Sequence, residues 1–525
     1  MSDLTIRPMT PADAPAVLAI YQAGMNGGDA SFEHTAPTWA AFDAGKLPGH
    51  RFVAVDDRGA VVGWVAISAG TRPGTTAGVT SSSSNVAARS STDQETPVAT
   101  QLDHLPIAVI GAGPVGLAAA AHLAERGLSF VVLEGGDSPA ATVREWGHVR
   151  FFSPWRYNID SAAAKLLADA GWARPEDDRL PTGAELADDY LRPLAELPAL
   201  RPHIRYAARA VAVTRLGLDR IRTAGRESTP FLIRLAGGED ILARAVLDAS
   251  GTWNTPNVLG ASGIPAYGET RVSPYVSNAL PDVLGRDRDL FAGCRTLVVG
   301  AGHSAANTLL SLAELAEQAP GTTVTWAIRS ASAARVYGGE TADALPARGA
   351  LGTRLRQHVE SGAITVLTGF SIRRLDETAG RVEVSDGART VVADRIVSAT
   401  GFRPDHGIVS ELRLDLDPIL GSTRALAPLI DPNEHSCGTV PPHGVDELTH
   451  PEPGYYAIGV KSYGRAPTFL LATGYEQARS VVAALAGDWA TARDVQLDLP
   501  ETGVCNSNPI LGEDTIGTAS GSCCG

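Results

Sequence analysis

Cysteine is scarce in this sequence: 525 residues hold five, at positions 294, 437, 505, 523 and 524. So few thiols cannot staple a chain of this length, which excludes a disulfide-built scaffold and points to a reducing compartment. Basic charge is in deficit too. Lys and Arg number 44 against 58 Asp and Glu, a net charge of −14, so a nucleic-acid groove or an anionic-membrane surface would work against the overall field. Aromatic bulk is low, with 11 Phe, 11 Tyr and 8 Trp. The opening MSDLTIRPMT has none of the apolar core of a secretory signal, so the expected location is the cytoplasm. Long apolar runs are absent except for Leu105–Leu123, where three glycines and Pro114 interrupt the run and a helix packed on a sheet reads better than a membrane span.

Glycine, by contrast, is abundant at 55 residues, which suits a nucleotide-binding α/β protein whose backbone turns tightly and approaches its ligand closely. At about 150 residues per domain the length allows three to four domains. The strongest motif opens at residue 106. Pro106–Ile110 reads as a strand, Gly111-Ala112-Gly113-Pro114-Val115-Gly116 as a turn and Leu117–Arg126 as the helix it opens. Gly111 permits the turn, Gly113 lets the backbone approach a pyrophosphate, and Gly116 lets helix and strand lie close. The next strand, Phe130–Leu133, runs into Glu134, where a carboxylate can accept hydrogen bonds from a ribose. Alternation in Ile204–Tyr206, Ala210–Val213 and Phe231–Leu235 predicts a small inserted sheet, and Ala245–Asp248 with Ala249-Ser250-Gly251 predicts a strand returning to the first sheet.

A second fingerprint follows. Thr296–Val299 reads as a strand, Gly300-Ala301-Gly302-His303-Ser304-Ala305 as the turn and Ala306–Glu317 as a helix. Its next strand, Val324–Ile328, ends in Arg329-Ser330 instead of an acid. An acid there would repel a 2′-phosphate, whereas Arg329, helped by Arg335, can pair with it, so NADPH is expected over NADH. Arg395–Phe402 repeats the apolar strand into Ala-Thr-Gly. Tyr455–Gly459 and a helix over Gly474–Leu485 are expected to complete the first domain. Two interleaved dinucleotide domains imply two nucleotides, one held and one exchanged.

The amino-terminal 70 residues read as strand (Leu4–Pro8), helix (Pro11–Met25, with Thr10 as N-cap) and a hairpin (Arg51–Val55, Val61–Ile67) turned at Asp57-Arg58-Gly59. Through IRPMTPADAPAVLAIYQAG, ASFEHTAPTW and RFVAVDDRGAVVGWVAIS this segment resembles the first half of GNAT-type N-acetyltransferases of the phosphinothricin-acetyltransferase-like group. The half that would carry their coenzyme A turn is missing, so acetyl transfer is not expected. A Ser/Thr/Gly/Pro-rich tract over 71–104 reads as a flexible linker.

From residue 105 to 490 the sequence resembles the two-dinucleotide-binding-domain flavoproteins, which include flavin-containing monooxygenases and thioredoxin-reductase-like enzymes. The carriers are GAGPVG with Glu134, DASG at 248–251, GAGHSA at 300–305 and SATGFRPD at 398–405. The resemblance implies an α/β fold of two interleaved Rossmann-like domains behind a partial GNAT-like α+β module. It assigns Gly111, Gly113, Pro114, Gly116, Glu134, Gly251 and Gly459 to FAD, and Gly300, Gly302, Ser304, Ala305 and Arg329 to NADPH. The expected boundaries are 105–285 and 396–490 for the FAD domain, 286–395 for the NADPH domain and 491–525 for a cysteine-containing tail.

The chemistry of the reduced flavin is a separate question. Neither CxxC arrangement of the disulfide reductases exists here: no cysteine follows Glu134 closely, and Cys294 stands alone before the second fingerprint. The FxGxxxH signature of many flavin monooxygenases is also absent, Tyr267-Gly268-Glu269 and Tyr275–Asn278 occupying that interval without a histidine. A narrower resemblance, through residues 143–160, 431–444 and 454–481, is to flavin-binding monooxygenases encoded in arsenic-resistance operons. It implies oxygen transfer to a soft nucleophile such as an organoarsenical or thiol.

Three of the five cysteines fall in the last 21 residues. Cys505, Cys523 and Cys524 form a candidate set for As(III), since thiolates favour soft metalloids. Cys437, beside His435, is a candidate redox thiol, and Trp155 and Tyr157 are candidates for the flavin face. Two alternatives stay open: an NADPH-dependent reductase working through Cys437 and the tail thiols, and a non-catalytic redox or metalloid sensor. The expected partner is a small molecule, with no nucleic acid and no membrane; a homodimer stays open.

Overall fold

A computed structural model describes residues 5–26, 37–68, 80–81, 102–338, 346–432, 440–467 and 469–496. The chain divides into two units, residues 1–98 with 221–226, and residues 99–220 with 227–525.

In the larger unit, short apolar runs become central parallel strands, because only a strand covered on both faces can be apolar throughout. Ile107–Ile110 lies in the middle of a five-stranded parallel sheet, flanked by Ala245–Asp248 and Tyr455–Ala457 on one side and by Phe130–Leu133 and Ile204–Arg205 on the other. The helix Pro114–Glu125 packs on this sheet beside Leu471–Leu485, its Ala118–Ala121 run fully buried so that the two helices approach closely. The opposite face is covered by an antiparallel meander, Ala210–Arg215, Phe231–Leu235 and Asp240–Ala243.

A second five-stranded parallel sheet runs in the order Val276–Ser277, Arg395–Ser398, Arg295–Val299, Thr323–Ala327, Ile364–Leu367. The helices His303–Gln318 and Pro346–Glu360 accompany it, with a second antiparallel meander over residues 374–393. The two-domain α/β reading therefore holds, with two corrections. Ile204–Arg205 joins the parallel sheet beside Leu133 and not the inserted meander, since Ile204 pairs with Val132. Val276–Ser277 and Ile396–Ser398, placed by the sequence reading in the first domain, both belong to the second sheet, where Ile396 pairs with Val276 on one side and with Leu297 on the other.

The smaller unit is a four-stranded antiparallel sheet of Thr5–Pro8, Lys46–Val55, Val61–Ser68 and Thr80–Ser81. Helix Ala14–Asn26 and helix Trp39–Ala44 accompany it, and Val17, Ile20, Phe42, Val53 and Trp64 form its core. The hairpin turns where expected: the Asp56 carboxylate accepts from the N–H groups of Arg58 and Ala60. Two details differ from the sequence reading. A 3₁₀ turn, Pro11–Asp13, precedes the helix, with the Asp13 carboxylate receiving both Thr10 N–H and Arg7. Thr80–Ser81, inside the expected linker, pairs with Ile67–Ser68. No helix among the described residues is long and apolar enough to cross a membrane.

Candidate active site: a dinucleotide cavity with a buried ion pair

Ligands of open parallel sheets gather at the carboxyl ends of the strands, and a cavity of about 480 Å³ opens there in the first domain. Gly111, at φ +103°, turns the chain out of its strand so closely that a Cβ would lie 2.8 Å from the Ala249 carbonyl oxygen. At Gly116 a Cβ would lie 2.0 Å from the Gly111 oxygen, so helix and turn meet only because residue 116 is glycine. Gly113 differs: nothing stands within 4 Å of where its Cβ would be, and it lines the cavity at the start of the helix Pro114–Glu125. The turn thus leaves room for an anionic group at a helix amino-terminus, the donor arrangement a pyrophosphate needs.

Of the residues assigned to FAD, Gly111, Gly113, Pro114, Glu134, Gly251 and Gly459 line this cavity, while Gly116 supports it from behind. Glu134 does more than await a ribose. Its two oxygens accept from the N–H groups of Ala112, at 2.6 Å, and Gly136, at 2.7 Å, tying the end of the second strand to the first turn. Gly459 is fixed by Gln477, whose Oε1 accepts its N–H at 2.8 Å. The Gln477 amide nitrogen donates to Ser462 Oγ and to His443 Nε2, and His443 Nδ1 donates to the Pro441 carbonyl. Burial holds His443 below its ordinary pKa, as this neutral tautomer requires.

The cavity wall also carries aromatic side chains. Trp146, Phe151, Trp253 and Phe469 line it with Leu471 and Val460, and Trp253 Nε1 donates to Glu145 at 2.7 Å. Trp155 and Tyr157 do not line it. Trp155 is fully buried in the first-domain core, and Tyr157 lies beneath the Arg156 guanidinium. Periodicity cannot distinguish a core tryptophan from a cavity one; here the segment's fold put Trp146 and Phe151 at the wall and Trp155 inside.

Two groups missed by the sequence reading complete the wall. Arg209 lines the cavity next to Gly135. Lys461, only 1% exposed, also lines it, with its Nζ 2.6 Å from Asp248 Oδ2 and 3.1 Å from Ser250 Oγ. Burial by itself raises the Asp248 pKa, but the Lys461 charge and the hydrogen bonds from Lys461 and Ser250 outweigh it and leave the carboxyl below its ordinary value. Tyr455 donates to the same carboxylate at 3.1 Å, and burial together with that charge drives its phenol well above 10. The signal in the sequence was an acid inside the otherwise apolar run Ala245–Ala249, because a carboxylate in a central strand requires a partner.

The second fingerprint repeats the geometry. Gly300, at φ +137°, places a hypothetical Cβ 2.0 Å from the Ala399 oxygen, while Gly302 opens onto free space at the start of His303–Gln318. Ser304 and Ala305 lie in the first turn of that helix. Arg329, exposed at the end of the adjacent strand, donates to the Ala261 carbonyl at 3.3 Å. Cys294 precedes Arg295–Val299, at the strand's opposite end from the turn. Cys437, Cys505, Cys523 and Cys524 lie outside the described residues.

The family model for pyridine nucleotide-disulphide oxidoreductases matches residues 108–421. The chain belongs to that family. It is a flavin-dependent oxidoreductase, and its cofactors are FAD and NAD(P)H. The chain is 31% identical over 208 residues to the indole-3-pyruvate monooxygenase YUCCA1 of Oryza sativa subsp. japonica, a match covering 39% of this chain and 44% of that protein. It is 24% identical over 386 residues to a ferredoxin–NADP reductase of Rhodospirillum rubrum, covering 73% and 90% of the two chains. Among solved structures, a bacillithiol disulfide reductase from Bacillus cereus superposes with a TM-score of 0.53 at 17% identity, covering 73% of this chain and 99% of that one. That likeness shows the two-domain fold.

Proposed function

We propose that the chain is an NADPH-dependent FAD monooxygenase that transfers one oxygen atom to a soft nucleophilic small molecule, an organoarsenical or a thiol, in arsenic detoxification. The observation that carries this reading is the cavity wall: among the described residues it holds no cysteine, and it includes four aromatic side chains, Trp146, Phe151, Trp253 and Phe469. A disulfide reductase needs a thiol against the flavin, whereas oxygen transfer needs a dry, apolar site. When bound, FAD would supply the two-electron chemistry between NADPH and oxygen. The protein's part is to hold and to exclude. Glu134 and the Gly111–Gly116 turn hold the dinucleotide, Trp146, Phe151, Trp253 and Phe469 keep water out, and Arg329 pairs with the 2′-phosphate of NADPH. With a trivalent organoarsenical the balance is NADPH, a proton, oxygen and substrate giving NADP⁺, water and the pentavalent product. The arsenical itself is suggested by the resemblance of residues 143–160, 431–444 and 454–481.

The test is NADPH oxidation by the purified yellow protein with and without oxygen. Substrate-stimulated oxidation with equimolar oxygen uptake and an oxygenated product is expected, and turnover that persists unchanged under nitrogen sinks the proposal. A reductase is the second reading, favoured by the match along nine-tenths of a ferredoxin–NADP reductase; Cys437 and the carboxyl-terminal thiols are the electron route it would take here if its acceptor is a disulfide or metalloid. It predicts anaerobic turnover that collapses in Cys523→Ala/Cys524→Ala.

A further inference from the structure

A buried ammonium normally costs more than it returns unless its charge has a use. Lys461 and Asp248 lie 213 positions apart in sequence and are 1% and 0% exposed. The pair is polarised with respect to the cavity: Lys461 and Ser250 line it and Asp248 does not. Asp248 is saturated from behind, one oxygen taking Lys461 and Tyr455, the other taking the N–H and hydroxyl of Ser250. Lys461 is not saturated. Its ammonium has three N–H bonds and two acceptors among the described residues, Asp248 and Ser250, so one donor remains for a ligand. Of the two cations on the cavity wall, Arg209 is exposed and Lys461 alone is buried.

We propose that Lys461 is a cofactor-positioning residue whose ammonium, backed by Asp248, faces the cavity and binds an anionic group of the dinucleotide. The inference rests on the FAD reading and assigns this residue a part in it. The glycine turn supplies neutral amides, and Lys461 supplies the formal positive charge that a pyrophosphate calls for, already desolvated and oriented before the ligand arrives. The same ammonium joins the Ser250 turn to the Gly459–Tyr463 turn, so the two halves of the cavity floor are closed by an ion pair.

The decisive measurement is FAD affinity of the deflavinated full chain, by recovery of flavin fluorescence, alongside Tm with and without FAD. Identification of FAD in the wild-type protein tests the cofactor reading separately. Lys461→Met is expected to weaken FAD at least tenfold and to shrink the rise in Tm on binding, with Lys461→Arg restoring most of both. Asp248→Asn is expected to lower the Tm of the deflavinated protein yet bind FAD at least as tightly as wild type, because the bound anion becomes the ammonium's charge partner. A merely structural clamp predicts instead that Lys461→Met and Asp248→Asn weaken FAD in parallel, and that result overturns the proposal, as does unaltered affinity in Lys461→Met. If Lys461→Met fails to accumulate, the sign of the Asp248→Asn effect decides.

Discussion

Trp253 of the first nucleotide domain stacks on Phe402 of the second, ring centroids 5.0 Å apart and planes inclined by 28°. The stack sits where the two connecting segments cross. There the Asn257 N–H donates to the Gly401 carbonyl and the Arg403 N–H to that of Thr255, and the Asn257 side chain donates to the Thr400 carbonyl. Trp253 also lines the cavity of the first domain, so one side chain touches both the candidate cofactor site and the crossing of the two connecting segments.

Phe402→Ala should therefore act on both stability and electron entry. Loss of the aromatic pair costs about 1 kcal/mol, and the rate of flavin reduction by NADPH should fall severalfold as the two domains lose a shared contact. Stopped-flow absorbance of the flavin band measures the second effect. An unchanged reduction rate with a lowered Tm would confine the stack to a structural role.

The two glycines at the first turn should fail differently. Gly116→Ala forces a methyl to within 2.0 Å of the Gly111 oxygen, so the helix must shift off the sheet and the domain should accumulate poorly or lack flavin. Gly113→Ala meets no protein atom within 4 Å, so the protein should fold and retain its Tm without cofactor. Its methyl enters the space meant for the ligand, and FAD affinity should drop. Equal loss of folding in both variants would show that the cavity reading of Gly113 is wrong.

Arg329 should separate the two nicotinamide cofactors. Removing a charge-assisted contact to the 2′-phosphate costs about 1.5 kcal/mol or more, so Arg329→Ala should raise the KM for NADPH roughly tenfold while leaving that for NADH unaltered. A parallel rise in both would assign the residue to the part the two share.

His450 gives the fold a definite acid response. Burial, followed by the nearby His406, lowers its pKa to about 4, against a smaller opposing pull from Asp415. The Asp415 N–H donates into its Nδ1 at 3.2 Å, an interaction only the neutral ring can accept. The unfolded chain takes up this proton near pH 6.5 and the folded one only near 4, so the contribution is complete above about 6.5 and is lost as pH falls to about 4. Up to about 3 kcal/mol is at stake. The Tm of His450→Asn, which keeps an acceptor but cannot be protonated, should fall less between pH 7 and pH 4.5 than that of the wild type. Identical pH profiles would remove His450 from the account.

How much of the site was legible depended on the distance over which each decision is made. Gly111, Gly113, Gly116 and Glu134 are legible because strand, turn, helix and strand follow one another without interruption, and the backbone conformation of each turn is imposed by its own few residues. The DASG and SATG turns are legible for the same reason. Trp155 is a poor guide to the cavity wall, which Trp146 and Phe151 line instead, because the winding of residues 146–155 is set by the fold of the whole segment. Ile204–Arg205 reads as part of the meander yet pairs with Val132–Leu133, because a strand of two residues carries too little pattern to name its partner.

The sequence by itself determined two dinucleotide turns, their order and the acid or base at the end of each second strand, since these are local consequences of glycine sterics and strand periodicity. Tertiary structure alone decided which aromatics wall the cavity and where Asp248 finds its counter-charge. A buried carboxylate announces only that it needs a partner. The partner here is Lys461, 213 residues later, and only the pairing of the strand Tyr455–Ala457 alongside Ala245–Asp248 brings the two charges together at the cavity wall.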